Sequence, residues 1–351
     1  MAKRWKERPS GSTWGDWGED DELGRINLLT SDKVLQGARE VEAGITFCLS
    51  LPLDFPGGTA LNQRRHPPVL APTEDMLGNP GTFYNVHMSG MDEGDPRYVD
   101  VWADDVVTLS LQYSTQWDSL AHVGAEFDAD GDGVEEPVYY NGYRAGVDLV
   151  GPQPDAARDG GRHLCFAHHL GLEHMAATGV QGRGVLVDLA HHLGHDWRGV
   201  DLETLQEVMA ADGVVVEPGD MLLVHTGFAT KVLEWDRHPD PVRIHAMCTY
   251  LDARDEALLR WIADSQIAAL VADNYAVEGL VGGDKDPGRH SFLPIHHLCL
   301  FRLGVPLGEM WYLHELARWL REHGRSRFLL TAPPLRLPGA VGSPLTPVAP
   351  V

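Results

Sequence analysis

Residues 184–190 read GVLVDLA, 220–226 read DMLLVHT and 268–272 read AALVA. Each is a short, nearly continuous apolar run, the pattern of a strand buried on both faces. Segments of helical period lie between them: 201–212 ends before Gly213, and 252–264 places Leu258, Leu259 and Ile262 on one face. Further on, Pro294 opens a helix that Gly304 closes, VPLGEMW follows, and a helix over 312–323 leads into the strand RFLLTA at 327–332. This alternation predicts an α/β fold, a mixed β-sheet core with flanking helices.

Residues 1–30 are polar and rich in Trp, Gly and Asp, and read as an N-terminal extension. Thr30 or Ser31 suits an N-cap, with Val34, Leu35, Ala38 and Val41 at helical spacing and Gly44 at the C′ position. ITFCLSLPL (45–53) reads as a strand, and VVTLSLQ (106–112) alternates as a half-buried strand should. Residues 54–104 show little periodicity and are expected to form long excursions over a site. The stretch 332–351 carries six prolines and is expected to pack as an extended arm. No internal repeat or linker breaks the chain, so a single domain over 1–351 is expected.

The chain has 351 residues, 43% hydrophobic and 23% charged, which excludes a disordered chain, a collagen-like repeat or a disulfide scaffold. The cysteines 48, 165, 248 and 299 are scattered and read as free thiols. With 28 basic against 51 acidic residues, the net charge of −23 argues against nucleic acid and anionic membranes as partners. No apolar run reaches the roughly 18 residues of a membrane span. The charged start lacks an apolar signal region, so a cytoplasmic protein is expected.

Four stretches gather chemistry-bearing side chains. In STQWDSLAHVG (114–124), Asp118 and His122 are four apart, and a helical turn would put both on one face. That is a workable metal-ligand pair, although spacing alone favours the polar face of an amphipathic turn. In PIHHLCLFRLGVPLGEMW (294–311), His296 and His297 occupy the first turn of a helix and Glu309 falls in the next strand. Asp273, Asn274 and Glu278 follow the strand AALVA, and His225 and Thr226 end the strand DMLLVHT. The C-terminal ends of strands are where open α/β sheets place their sites. DADGDG (128–133) resembles the start of a calcium loop, but its twelfth position is Tyr139, so an acidic hairpin is expected in place of an EF-hand. There is no G-x-G-x-x-G after a strand, no P-loop and no G-x-S-x-G elbow.

Taken together, these segments resemble the cyclase-like family of metal-dependent hydrolases, which includes kynurenine formamidase and isatin hydrolase. The family signature is His-x-Gly-Thr-His-x-Asp-x-Pro-x-His. Here it runs from Gln112 to His122: Thr115, Asp118 and His122 match, while Gln112, Ser114, Gln116 and Leu120 replace His, Gly, His and Pro, marking a divergent subgroup. The family's downstream His, twelve residues before a Glu, is met by His297 and Glu309. WGEDDELGRINLLT (17–30), VEPGDMLLVHTGF (216–228) and GAVGSPLTP (339–347) also resemble this family, so the likeness spans nearly the whole chain.

The resemblance implies the family's swivelling β/β/α fold and a site built from Asp118, His122, His297 and Glu309, with Gln116 adding a carbonyl oxygen. It implies one divalent metal, zinc or manganese, or none where the glutamines have removed it. His122 and His297 would serve as catalytic proton carriers, and Trp117, Tyr140 and His225 would contact substrate. The implied activity is hydrolysis of a small cyclic amide or formamide by metal-activated water. The alternatives are a cyclase or lyase of secondary metabolism, or a non-catalytic ligand-binding member. A homodimer or homotetramer is expected by the same analogy.

Overall fold

The computed structural model describes residues 4–75, 78–91, 94–152, 165–279 and 289–351. Its core is a nine-stranded mixed sheet. In chain order the strands are β1 (Thr46–Cys48), β2 (Gln116–Asp118), β3 (Gln181–Asp188), β4 (Met221–His225), β5 (Ala269–Ala272), β6 (Leu307–Glu309), β7 (Arg327–Thr331), β8 (Gly342–Pro344) and β9 (Val348–Pro350). Their spatial order is β1-β9-β7-β3-β4-β5-β6-β2-β8. The run β3-β4-β5-β6 is parallel, and the flanking pairs are antiparallel.

The apolar runs at 184–190, 220–226 and 268–272 form β3, β4 and β5 of this parallel run. β4 and β5 are buried along their whole length, and β3 apart from Gln181. Successive side chains serve opposite faces. Val185, Val187, Leu222 and Val224 pack on one side against helices α2 (Leu202–Ala211) and α3 (Glu256–Asp264), while Leu186, Met221 and Leu223 pack on the other against α4 (His314–Glu322). Local capping fits these boundaries. Asp201 accepts from the Thr204 N–H and Asp255 from the Ala257 N–H, each satisfying a first-turn donor. Helix α1 (Ser31–Ala38) is capped by Thr30 but stops six residues short of Gly44.

Three sequence expectations change. VVTLSLQ supplies strand only over Asp105–Thr108, paired with Val69–Pro72, and all four of its residues are exposed. Alternation marks a half-buried strand only when something covers one face, and among the described residues nothing does. The proline-rich end is not simply an arm. It returns as β8 and β9 to the main sheet, with Pro344 on the edge strand, where a missing N–H costs least. The helix expected at 294–304 is a short turn, Pro294–His296, followed by a π-helix, His297–Leu303. Gly304 then takes φ +63, and a Cβ on the neighbouring Gly24 would meet its carbonyl oxygen at 2.2 Å. Only glycines permit that approach.

The N-terminal segment packs on this π-helix: the Thr13 N–H donates to the Arg302 carbonyl, and the buried Trp14 indole donates to the Phe301 carbonyl at 2.8 Å. DADGDG lies in the loop between the paired strands Ala125–Phe127 and Glu136–Val138, where the Asp128 carboxylate accepts from the N–H groups of Gly131, Asp132 and Gly133. No helix among the described residues is long and apolar enough to cross a membrane.

Candidate metal centre

β2 and β6 run antiparallel with Gln116 opposite Glu309 and Asp118 opposite Leu307. Strand alternation puts Gln116 and Asp118 on one face and Trp117 on the other. Gln116 Nε2 therefore reaches Glu309 Oε2 at 2.8 Å and Asp118 Oδ1 at 3.4 Å. Trp117 is fully buried behind the sheet, its indole N–H bonded to the Ala332 carbonyl and its ring edge-on to Trp311. It is a core residue and not a substrate contact.

The turn Pro294–His296 brings in the imidazole. His296 Nε2 lies 3.2 Å from Glu309 Oε1, and its Nδ1 lies 2.8 Å from Glu278 Oε1. Glu278 also accepts from the backbone N–H groups of Ile295 and His296. His297, the residue favoured by the twelve-residue spacing, does not reach the cluster. Neighbouring residues of a helix point about 100° apart, so only one of the pair can face β6. The His297 ring instead lies 5.0 Å from Phe301, and burial pushes its imidazole down to about 4.

His122 sits in the turn after β2, Nε2 3.8 Å from Asp118 Oδ2, on a turn rather than the helix that would aim both at one point. Burial lowers its pKa more than the Asp118 carboxylate raises it, which keeps the ring neutral near pH 7. Burial, and then the like charge of Asp118, push Glu309 up to about 7. For His296, burial disfavours the cation, but the hydrogen bonds to Glu278 and Glu309 prevail and hold it at about 10.

Tyr140 and His225 also lie away from this cluster. Tyr140 is buried against Gly304 with its hydroxyl beside Thr13. His225 ends β4 in a separate buried group, Nδ1 2.7 Å from Asp188 Oδ1 and Nε2 3.9 Å from Asp273 Oδ2. Neither borders the cavity over Glu309. That cavity, of about 230 Å³, is lined at its floor by Glu309, His296 and His122 and at its sides by Tyr113, Tyr275 and Phe292.

Asp118, His296 and Glu309 each offer a ligand atom within 4.8 Å of the others. A second observation bears on a metal. Gln116 Oε1 and Asp118 Oδ2 are buried acceptors without a donor, and Glu309 Oε1 has only His296 Nε2 beside it. Leaving a buried acceptor unpaired costs about 1–3 kcal/mol, and two beside a second buried carboxylate suit a cation. The donor set fits a cation that displaces the His296 Nε2 proton: two carboxylates and one imidazole whose other nitrogen is held by a third carboxylate, the arrangement that orients a ligating histidine. Glu278, essential to that arrangement, stands in the sequence only as one of three polar residues after β5. Nothing in the sequence ties it to His296, eighteen positions on. A further acidic group, Asp128, Asp130 and Glu136, lies half-buried in the hairpin, with Arg144 bridging Asp130 and Glu136.

A family model described as "Putative cyclase" matches residues 49–279. Among solved structures, one described as a novel cyclase is 31% identical, with TM-score 0.71 and 97% of each chain covered. Isatin hydrolase A from Labrenzia aggregata, bound to benzyl benzoate, is 14% identical with TM-score 0.53, covering 91% of this chain and 97% of its own. Isatin hydrolase A from Ralstonia solanacearum is 13% identical with TM-score 0.52, covering 87% and 91% respectively. At such identities the last two show a shared fold. No curated protein sequence matches this chain.

Proposed function

The chain belongs to the cyclase family, and from that premise we propose that it is a metal-dependent hydrolase of a small non-peptide amide, a cyclic amide or a formamide. The observation that carries the reading is the convergence of Asp118, His296 and Glu309 within 4.8 Å of one another, with His296 and Glu309 lining a cavity. A divalent cation bound there would polarise a carbonyl and lower the pKa of its water to about 7. Two carboxylates and one imidazole suit zinc or manganese better than a thiophilic metal.

The chain's own residues supply the rest. Glu278 accepts the Nδ1 proton of His296 and leaves Nε2 facing Glu309. His122, neutral and bordering the cavity, takes and returns the proton that amide cleavage requires. Tyr113, Tyr275 and Phe292 wall a flat substrate. His297 has no part in this assignment. The test is turnover of a panel of lactams and aryl formamides by metal-supplemented protein. Activity that a chelator abolishes and zinc or manganese restores is expected, and hydrolysis indifferent to chelation overturns the reading.

One observation favours a second reading. Gln116 turns its amide nitrogen, and not its oxygen, to both carboxylates, as a site would if it had exchanged its metal for an internal donor. That supports a non-catalytic small-ligand binder. No metal retained after supplemented expression, measured by elemental analysis, would favour it. We also propose self-association, supported by the paired segments around Val69–Pro72 and Val101–Thr108, where Val69, Leu70, Trp102 and Val106 are all exposed. Light scattering that gives a monomer mass at all concentrations would exclude it.

A further inference from the structure

The outer rim of the cavity over Glu309 carries Arg64 and Arg65, adjacent residues of the QRRH stretch at 63–66. In a chain of net charge −23, this cavity mouth carries two adjacent guanidinium groups. Neither makes an ion pair among the described residues. Arg65 Nη1 donates to the Gln112 carbonyl at 2.8 Å, which fixes the guanidinium at the rim while its other donors stay available. Arg64 is exposed, and Arg65 is half-buried. The cavity thus has a cationic rim, aromatic sides and a floor that carries the Glu309 carboxylate and two imidazoles. Its 230 Å³ corresponds to about eight water molecules at roughly 30 Å³ each, which suits a small molecule and not a polypeptide.

We propose that Arg64 and Arg65 form the anion-binding end of this site, so that the substrate class is a small aromatic or alicyclic amide that carries a carboxylate. The carboxylate lies on the guanidinium pair, and the amide carbonyl points inward to Glu309 and His296. Arginine is suited to this because its planar donors match a carboxylate two at a time. The inward placement of the carbonyl rests on the hydrolase reading, whereas the anion end does not.

Benzoate and benzamide test the anion end, since they share shape and differ in charge. Each is titrated calorimetrically into the full-length protein, as purified and after chelator treatment, which removes direct binding to a metal. Charge-assisted hydrogen bonds contribute about 1.5–3 kcal/mol, so benzoate should bind at least about tenfold more tightly than benzamide in both preparations. Arg64→Gln with Arg65→Gln should bring the two within about twofold, Arg65→Lys should keep part of the preference, and rising salt should weaken it. Thermal melting of each variant checks folding, and the single Arg64→Gln change serves if the double variant does not fold. Equal binding of the two probes, no detectable benzoate binding, or a preference that survives loss of both arginines would overturn the proposal; in the last case the guanidinium groups merely balance Asp118 and Glu309. A benzoate preference in a protein that holds no metal would leave the anion end standing while the hydrolase reading falls. Chelator-sensitive hydrolysis without the preference would do the reverse.

Discussion

Glu278 grips His296 twice, accepting from its Nδ1 at 2.8 Å and from its backbone N–H at 2.9 Å. Both residues are buried, and the carboxylate fixes which imidazole nitrogen is left to face Glu309. Outer carboxylates of this kind typically change metal affinity by about 10–100-fold. Glu278→Gln should therefore lower zinc or manganese affinity within that range while the protein stays folded. Competition with a fluorescent chelator measures it, and unchanged affinity would remove Glu278 from any role at the metal.

His296 and His297 are neighbours in sequence with opposite surroundings. His296→Ala should abolish metal retention and activity together. His297→Ala should leave both within about twofold, because its ring packs on Phe301 away from the cavity. Metal content and turnover of the two variants, measured together, decide between them. Loss of metal in His297→Ala would restore the twelve-residue spacing as the correct reading.

Gln116 occupies the place of a family imidazole, and its amide nitrogen donates to Glu309 and Asp118. An imidazole is a stronger donor to zinc than a neutral amide oxygen. Gln116→His should raise zinc affinity by about tenfold or more, by analogy with the effect of groups around a metal. Gln112, by contrast, packs its amide against Gly342, so Gln112→His alone should add less. Equal zinc affinity in wild type and Gln116→His, titrated side by side, would show that residue 116 does not govern the metal.

The His225–Asp188 pair predicts a pH window for stability. Burial opposes the His225 cation, but the hydrogen bond to Asp188 and the charge of Asp273 prevail, so its pKa is raised on folding. The stabilisation is then fully present below the unfolded value of about 6.5 and is lost as pH rises through the folded value. Burial works against the Asp188 carboxylate too, but His225 outweighs it and lowers the pKa. Its contribution is present above about 3.9 and lost as pH falls through the folded value. His225→Asn should cost more stability at pH 6 than at pH 9, measured by urea unfolding. An equal cost at both would mean that the pair carries no charge in the folded state.

The apolar runs at 184–190, 220–226 and 268–272 determined the centre of the fold by themselves, because a strand buried on both faces is apolar at most positions, with the exceptions Arg183, Asp188 and His225 each held by a buried partner, and few other arrangements tolerate such a run. Asp118 and His122 stood out for a similarly local reason, their spacing of four. Tertiary structure decided what depends on direction and on distant partners. The pleat of β2 sends Trp117 into the core and Gln116 to the carboxylates, and the rotation of one residue along the turn at 294–296 selects His296 over His297. Glu278 joins His296 only because β5 and that turn are folded together. The exposed strand 105–108 shows the same limit from the other side: alternation in sequence gives the strand a two-faced pattern, but which face is covered depends on what packs against it, and no local pattern encodes that.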